Sequence, residues 1–169
     1  LTETVTSPTM ASQLQAILKA YPQAKWMQYE PALTSVDLAG TQLAFGAALQ
    51  PIYSFDKAKV IVSLDSDFMG QGPADLAYSK AFSKRRKPDA NMNRLYAATP
   101  MPTVTSAIAD NRLPIRASDI EPLARLIANR VGVAGVNAPG AVPQGLRQSW
   151  VDAVVTDLQA NAGQSIVIA

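Results

Sequence analysis

The chain has 169 residues, with 15 Lys+Arg against 13 Asp+Glu, a net charge of +2, and neither Cys nor His. Apolar residues make up 48%, enough for a packed core and too many for general disorder. The absent residue types exclude disulfides, thiolate nucleophiles, Cys-ligated iron–sulfur clusters, a Ser-His-Asp triad, a His general base and an ordinary zinc site within this chain. The near-neutral charge gives no reason to expect nucleic acid as a partner. No apolar stretch approaches the ~20 residues of a membrane span, so direct membrane insertion is not expected.

Ser7-Pro8 reads as an N-cap followed by proline at the first helical position. Met10, Leu14, Ile17, Leu18 and Tyr21 then share one helical face, and Pro22 ends it. Ala24–Tyr29 reads as a strand stopped by Pro31. A second helix is expected from about Val36 to Leu49, closed by Pro51. Lys59–Leu64 is the clearest strand. Its β-branched run has almost no polar alternation, which suits a strand covered on both faces.

Asp65-Ser66-Asp67 follows that strand. Gly70, Gly72 and Pro73 mark a turn and the start of a helix to about Lys84, with Leu76, Ala77 and Ala81 inward. Asn93–Ala98 is the next strand, and Pro100–Pro114 a proline-spaced connection. Ser118-x-x-Glu121 has the capping-box pattern. Its helix runs to about Val131, with Ile120, Leu123, Ile127 and Val131 as the stripe. Gly132–Gly145 is a loop. A last helix carries Leu146, Trp150, Val154 and Leu158, and Ser165–Ala169 is the final strand.

Strands alternating with helices predict a Rossmann-like α/β domain of three layers, with a mostly parallel sheet of four to five strands, helices on both faces and right-handed crossovers. Residues 1–169 are expected to form a single domain. The start has no Met, no basic n-region and no apolar h-region, so it is not read as a signal peptide. Both ends are expected to lie inside a longer chain.

Asp65 and Asp67, at a strand's C-terminal end, stand where open α/β sheets bind ligands. Two carboxylates there suit Mg²⁺ or attack on a phosphate. The Asp-x-Asp also resembles the first motif of haloacid-dehalogenase-type phosphatases, except that Phe68 and Met69 follow. The alternative is a short polar turn that caps the strand. Arg112 and Arg116 flank a helix start and suit an anionic ligand, or ion pairs with Asp110, Asp119 or Glu121. Lys84-Arg85-Arg86-Lys87 reads as a solvated helix end. Trp26 and Trp150 read as core residues. Tyr29-Glu30 is a further candidate for the strand edge near Asp65.

An ordered set of segments resembles a known family. They are Leu1–Thr9, Trp26-x-Gln28-Tyr29-Glu30-Pro31, Ala44-Phe45-Gly46, Phe55-Asp56-Lys57-Ala58 with Val60–Phe68, Met92–Tyr96, and Ala109-Asp110-x-Arg112-Leu113-Pro114-Ile115-Arg116. Together they resemble the molybdopterin-oxidoreductase-like region of the large iron–sulfur subunit of bacterial alternative complex III, the family called molybdopterin oxidoreductase, iron–sulfur binding subunit. The resemblance implies a Rossmann-like domain of a multi-domain subunit, next to the guanosine part of a molybdopterin guanine dinucleotide. The family's Gly-Ser-Asn-Pro type loop falls on Asp65-Ser66-Asp67-Phe68. Its Leu-Pro-x-Arg-Pro-Gly-Thr-Asp type segment falls on Leu113-Pro114-Ile115-Arg116-Ala117-Ser118-Asp119. Asp65, Ser66, Asp67, Arg112, Arg116 and Asp119 are thus the candidate remnant of a guanosine and pterin site.

The first loop has lost its Gly, Asn and Pro and gained two carboxylates, which repel a pyrophosphate. The second has lost its Pro-Gly turn. These departures agree with the complex III branch, whose molybdopterin-like region is thought to hold no pterin. The resemblance therefore implies a non-catalytic scaffold in a membrane-bound, quinol-oxidising respiratory complex. No cofactor is expected in this piece. Iron–sulfur clusters would lie elsewhere in the parent chain, and molybdopterin guanine dinucleotide belongs to the active branch of the family. The implied partners are other domains of the parent subunit and other subunits of the complex. The implied location is the periplasmic face of the inner membrane, and exposed apolar patches are expected on the piece alone. Alternatives are a guanosine-binding domain of an active molybdopterin enzyme, and a Mg²⁺-dependent phosphate-handling enzyme using Asp65 and Asp67.

Overall fold

A computed structural model describes all residues except 4, 6, 30–35, 73, 90 and 144, and the backbone alone of 36–38. The expected helix start at Pro73, the stop at Pro31 and the candidate Glu30 lie outside the described residues. The chain divides into two compact units, Leu1–Ile52 and Tyr53–Ala169.

In the first unit, α1 spans Pro8–Ala20, and the Ser7 hydroxyl accepts the Met10 N–H at 3.4 Å. None of its residues is buried. α2 spans Val36–Phe45, shorter than expected, because Gly46 takes a positive φ of 72° and ends the helix before Pro51. The expected strand 24–29 does not form. Among the described residues its alternation finds one bridge, Thr2 with Gln28. The Trp26 indole N–H donates to the Thr2 hydroxyl at 2.9 Å.

The second unit holds β1 (Val60–Leu64), α3 (Asp75–Ser83), β2 (Arg94–Thr99), α4 (Val104–Ala107), β3 (Asn111–Pro114), α5 (Ile120–Val131), α6 (Gln148–Ala160) and β4 (Ser165–Ile168). The four strands pair in parallel in the order β3-β2-β1-β4. The fold is thus the expected Rossmann-like α/β class, with four strands. The chain steps outward from β1 to β3, then returns to place β4 on the other side of β1. With crossovers of one hand, that reversal puts α5 and α6 on the face opposite α3.

Both faces are packed. Val60, Val62, Tyr96 and Leu113 meet Leu123 and Ile127 of α5 and Trp150, Val151 and Val154 of α6. On the other face Ile61 and Leu95 meet Phe55, Phe68 and Phe82. Phe55 stacks on Phe68 with ring centroids 4.2 Å apart. Trp150 is a core residue, and its indole N–H donates to the Asn111 carbonyl at 3.2 Å.

Several local expectations are corrected. Pro100–Pro114 is no plain connection, since it contains α4 and β3. The Ser118/Glu121 capping box is absent. Residues 117–119 form a 3₁₀ turn, and Asp119 precedes α5 without a side-chain cap. A capping box forms instead at Thr103 and Ser106. In α3 the inward residues are Tyr78, Ala81 and Phe82, whereas Leu76 is 82% exposed. The aromatic rings bury more apolar surface than Leu76 would, and they set the rotation of the helix. Among the described residues no helix is long and apolar enough to cross a membrane.

Candidate functional site

The strand order reverses at β1, so the crevice beyond its C-terminal end is where an open α/β sheet places a ligand. The residues there are Asp65, Ser66 and Asp67. Asp65 leaves the strand at φ 61°, the one described non-glycine residue with positive φ. Asp tolerates this left-handed region better than most residues. Its N–H still donates to the Ala98 carbonyl at 2.7 Å, continuing the ladder to β2.

The side chains of this loop bond back into the protein. The Thr99 hydroxyl donates to Asp65 Oδ1 at 3.1 Å and to the Met101 carbonyl at 2.9 Å, its single proton serving one at a time. The Ser63 hydroxyl donates to the Ser66 carbonyl at 2.6 Å. Asp67 Oδ1 accepts the Thr105 N–H at 2.8 Å, which satisfies a donor in the first turn of α4. In return the Thr105 hydroxyl accepts the Met69 N–H at 3.1 Å. Gly70 closes the turn, with its N–H on the Asp67 carbonyl at 2.9 Å. A Cβ at Gly70 would stand 2.3 Å from Asp67 Oδ2 and 2.9 Å from Val104 Cγ2, so any other residue would have to displace one of these side chains.

The other candidates belong to β3 and the turn behind it. Arg116 and Asp119 line a cavity of about 380 Å³ with Pro100, Leu113, Ile115 and Leu146, past the C-terminal end of β3. Arg112 is not among the lining residues. It alternates with Leu113 along the strand and so belongs to the opposite face, where its Nε is buried without a hydrogen-bond partner. Residues 99 and 100 link the two halves, since Thr99 bonds Asp65 and Pro100 lines the cavity.

The expected ion pairs do not form. Among the described residues no acid pairs with Arg112 or Arg116. Asp110 pairs with Arg86 in a fork of 2.7 and 2.9 Å, and Glu121 pairs with Arg125. The basic run is accordingly more than a solvated helix end. Arg86 also donates to the Asn93 carbonyl at 2.9 Å, and Arg85 donates to the carbonyls of Asn91 and Lys57, both at 3.0 Å.

The groups whose ionisation shifts most lie away from the ligand edge. At the N-terminal end of the sheet, burial works against the Asp110 carboxylate. The fork from Arg86 and the Leu95 N–H outweigh it and hold Asp110 below the usual range. Burial, together with the hydrogen bond to Asp157 at 2.6 Å, pushes the Tyr96 phenol up to about 12. Among the described residues no group of three or more Asp or Glu is placed to hold a metal ion.

Thr99 and Thr105 are the site residues that motif reading missed. The spacing of Thr103 and Ser106 was the one local signal of a helix cap there. Fold and loop together define an open, parallel, Rossmann-like α/β domain whose β1 loop is tied to its own β2–β3 connection. The chain matches no family model and no curated protein sequence.

Proposed function

We propose that the Rossmann-like unit is a non-catalytic scaffold domain, similar to the molybdopterin-oxidoreductase-like region of an iron–sulfur subunit in a membrane-bound, quinol-oxidising respiratory complex. One observation carries this reading. Asp67, at the position where a dinucleotide's phosphates would approach, is turned inward onto the Thr105 N–H. Asp65 beside it accepts from Thr99. A pyrophosphate there would meet two carboxylates of like charge, which repel it. The residues present do not fit the phosphates of molybdopterin guanine dinucleotide. With no Cys, this chain supplies no thiolate to an iron–sulfur cluster. On this reading, clusters and electron transfer belong to other parts of a parent protein at the periplasmic face of the inner membrane.

A second reading, a guanosine-binding domain, is favoured by the cavity that Arg116 and Asp119 share. A carboxylate such as Asp119 suits the donor edge of guanine, and the cavity lies apart from Asp67. The Mg²⁺-dependent phosphate-handling alternative has less support, because Asp67 Oδ1 is already committed to a backbone donor.

The test is elemental analysis of the parent protein from its own host for iron, molybdenum and tungsten, with pterin release. Iron without molybdenum, tungsten or pterin is expected. Stoichiometric molybdenum and pterin would overturn the scaffold reading. Titration of the chain with GMP separates the second reading, whose expected signature is binding that Asp119→Ala abolishes.

A further inference from the structure

The cavity past the C-terminal end of β3 measures about 380 Å³. That is the small end of the range for small-molecule sites, about 300–1,000 Å³. Its apolar lining is aliphatic. Leu113 is a buried core residue, Ile115 and Leu146 pack against the same core, and Pro100 lies beside them. Among the described residues no aromatic side chain lines it, so a purine finds no ring to stack on.

Two charges share this lining, Arg116 at the exposed rim and the half-buried Asp119. Arg116 is the N-cap of the 3₁₀ turn, and the Asp119 N–H donates to its carbonyl at 2.9 Å. An N-cap side chain and the one three residues on face each other, one turn or roughly 6 Å apart. Yet the two do not pair. Among the described residues neither makes an ion pair or a side-chain hydrogen bond. The acids that could have taken Arg116 are engaged, Asp110 by Arg86 and Glu121 by Arg125. A free cation and a free anion thus stand one turn apart over an aliphatic floor.

We propose that this cavity binds a free α-amino acid with an aliphatic side chain. Arg116 takes the carboxylate in a charge-assisted hydrogen bond, and Asp119 takes the ammonium. The side chain enters against Leu113, Ile115 and Leu146. An α-amino acid carries its two charges on adjacent carbons, as a cation and an anion one turn apart require. A purine nucleotide holds its phosphate a whole ribose away from its base edge. The inference goes beyond the scaffold reading and does not depend on it, and it competes with the guanosine reading for the same cavity.

The probe is leucine, titrated into the full chain and followed by amide chemical shifts. Beside it run leucinamide, which lacks the carboxylate, 4-methylpentanoate, which lacks the ammonium, and serine, which lacks the aliphatic side chain. Leucine is expected to bind, and each of the three to bind about tenfold more weakly. Arg116→Gln is expected to erase the preference for leucine over leucinamide. Asp119→Asn is expected to erase the preference for leucine over 4-methylpentanoate. Asp119 makes no side-chain cap to α5, so the circular dichroism of both variants is expected to match that of the parent chain. No binding of leucine, equal binding of leucine and any of the three analogues, or preferences unchanged in both variants would overturn the proposal. So would binding of GMP in place of leucine, which supports the guanosine reading instead. None of these outcomes touches the metal and pterin content of the parent, so the scaffold reading stands or falls separately.

Discussion

Thr105 holds the Asp67 loop by two hydrogen bonds, one of them to Asp67 itself. The Asp67 carboxylate accepts the Thr105 N–H at 2.8 Å, and the Thr105 hydroxyl accepts the N–H of Met69, two residues beyond Asp67, at 3.1 Å. The pair fastens the loop after β1 to the first turn of α4, and it does so at the crevice where this class of sheet receives ligands. A carboxylate that in another protein would reach outward serves here as a helix cap.

The latch can be measured by a double-mutant cycle. Asp67→Ala removes the cap and is expected to cost about 1–2 kcal/mol. Asp67→Asn keeps an acceptor and is expected to cost only a few tenths, roughly. Gly70→Ala places a methyl against Asp67 Oδ2, and its cost is expected to be on the order of 1–3 kcal/mol. The Asp67→Ala/Gly70→Ala pair should cost less than the sum, because the first change removes the atom that the second collides with. Urea denaturation of the four proteins reads the coupling, and strict additivity would mean that the loop relaxes away from the contact.

Asp110 sets an acid limit. Burial works against its ionised form, but the Arg86 fork and the Leu95 N–H outweigh this and hold the carboxylate below its ordinary 3.8. A depressed folded-state value contributes stability that is present above the unfolded value and lost as pH falls through the folded one. Stability is therefore expected to fall below about pH 4. Asp110→Asn should flatten that limb and lower stability at neutral pH by about 1.5–3 kcal/mol, the range for a hydrogen bond to a charged group. Denaturant midpoints against pH for both proteins check this.

Tyr96 sets an alkaline limit by the opposite sign. Burial, then its bond to Asp157, raises the phenol from 10.0 to about 12. A raised folded-state value contributes stability present in full below pH 10 and lost as pH climbs through the folded value. Unfolding is thus expected to become easier between about pH 10 and 12. Tyr96→Phe should remove that slope. In a spectrophotometric titration of the native protein Tyr96 should give a late ionisation step, and that step should vanish with Tyr96→Phe.

The legibility of each element followed its burial. β1 was readable because Val60–Leu64 is buried at every position, so its run is apolar throughout. β3 was not, because Asn111-Arg112-Leu113-Pro114 is an edge strand with a single buried residue, Leu113. Its pairing with β2 makes it a strand, and an edge is where a proline can sit. Residues 24–29 show the converse: the pattern is strand-like, but among the described residues it pairs only through the Thr2–Gln28 bridge. α5 and α6 were readable from their stripes. The rotation of α3 was not, because it depends on where Phe55 and Phe68 leave room for Phe82.

The same division runs through the site. Composition alone excluded thiol, imidazole and disulfide chemistry, and the order of apolar runs was enough for a parallel α/β sheet with Asp65 and Asp67 at the end of a strand. What those carboxylates do was decided by tertiary structure. Asp65 meets Thr99 across 34 residues, Asp67 meets Thr105 across 38, and Asp110 meets Arg86 across 24. Periodicity reports which face of an element is buried, since it is a property of neighbours in the chain. A hydrogen-bond partner that far away is chosen by strand order and loop closure, which no local pattern encodes.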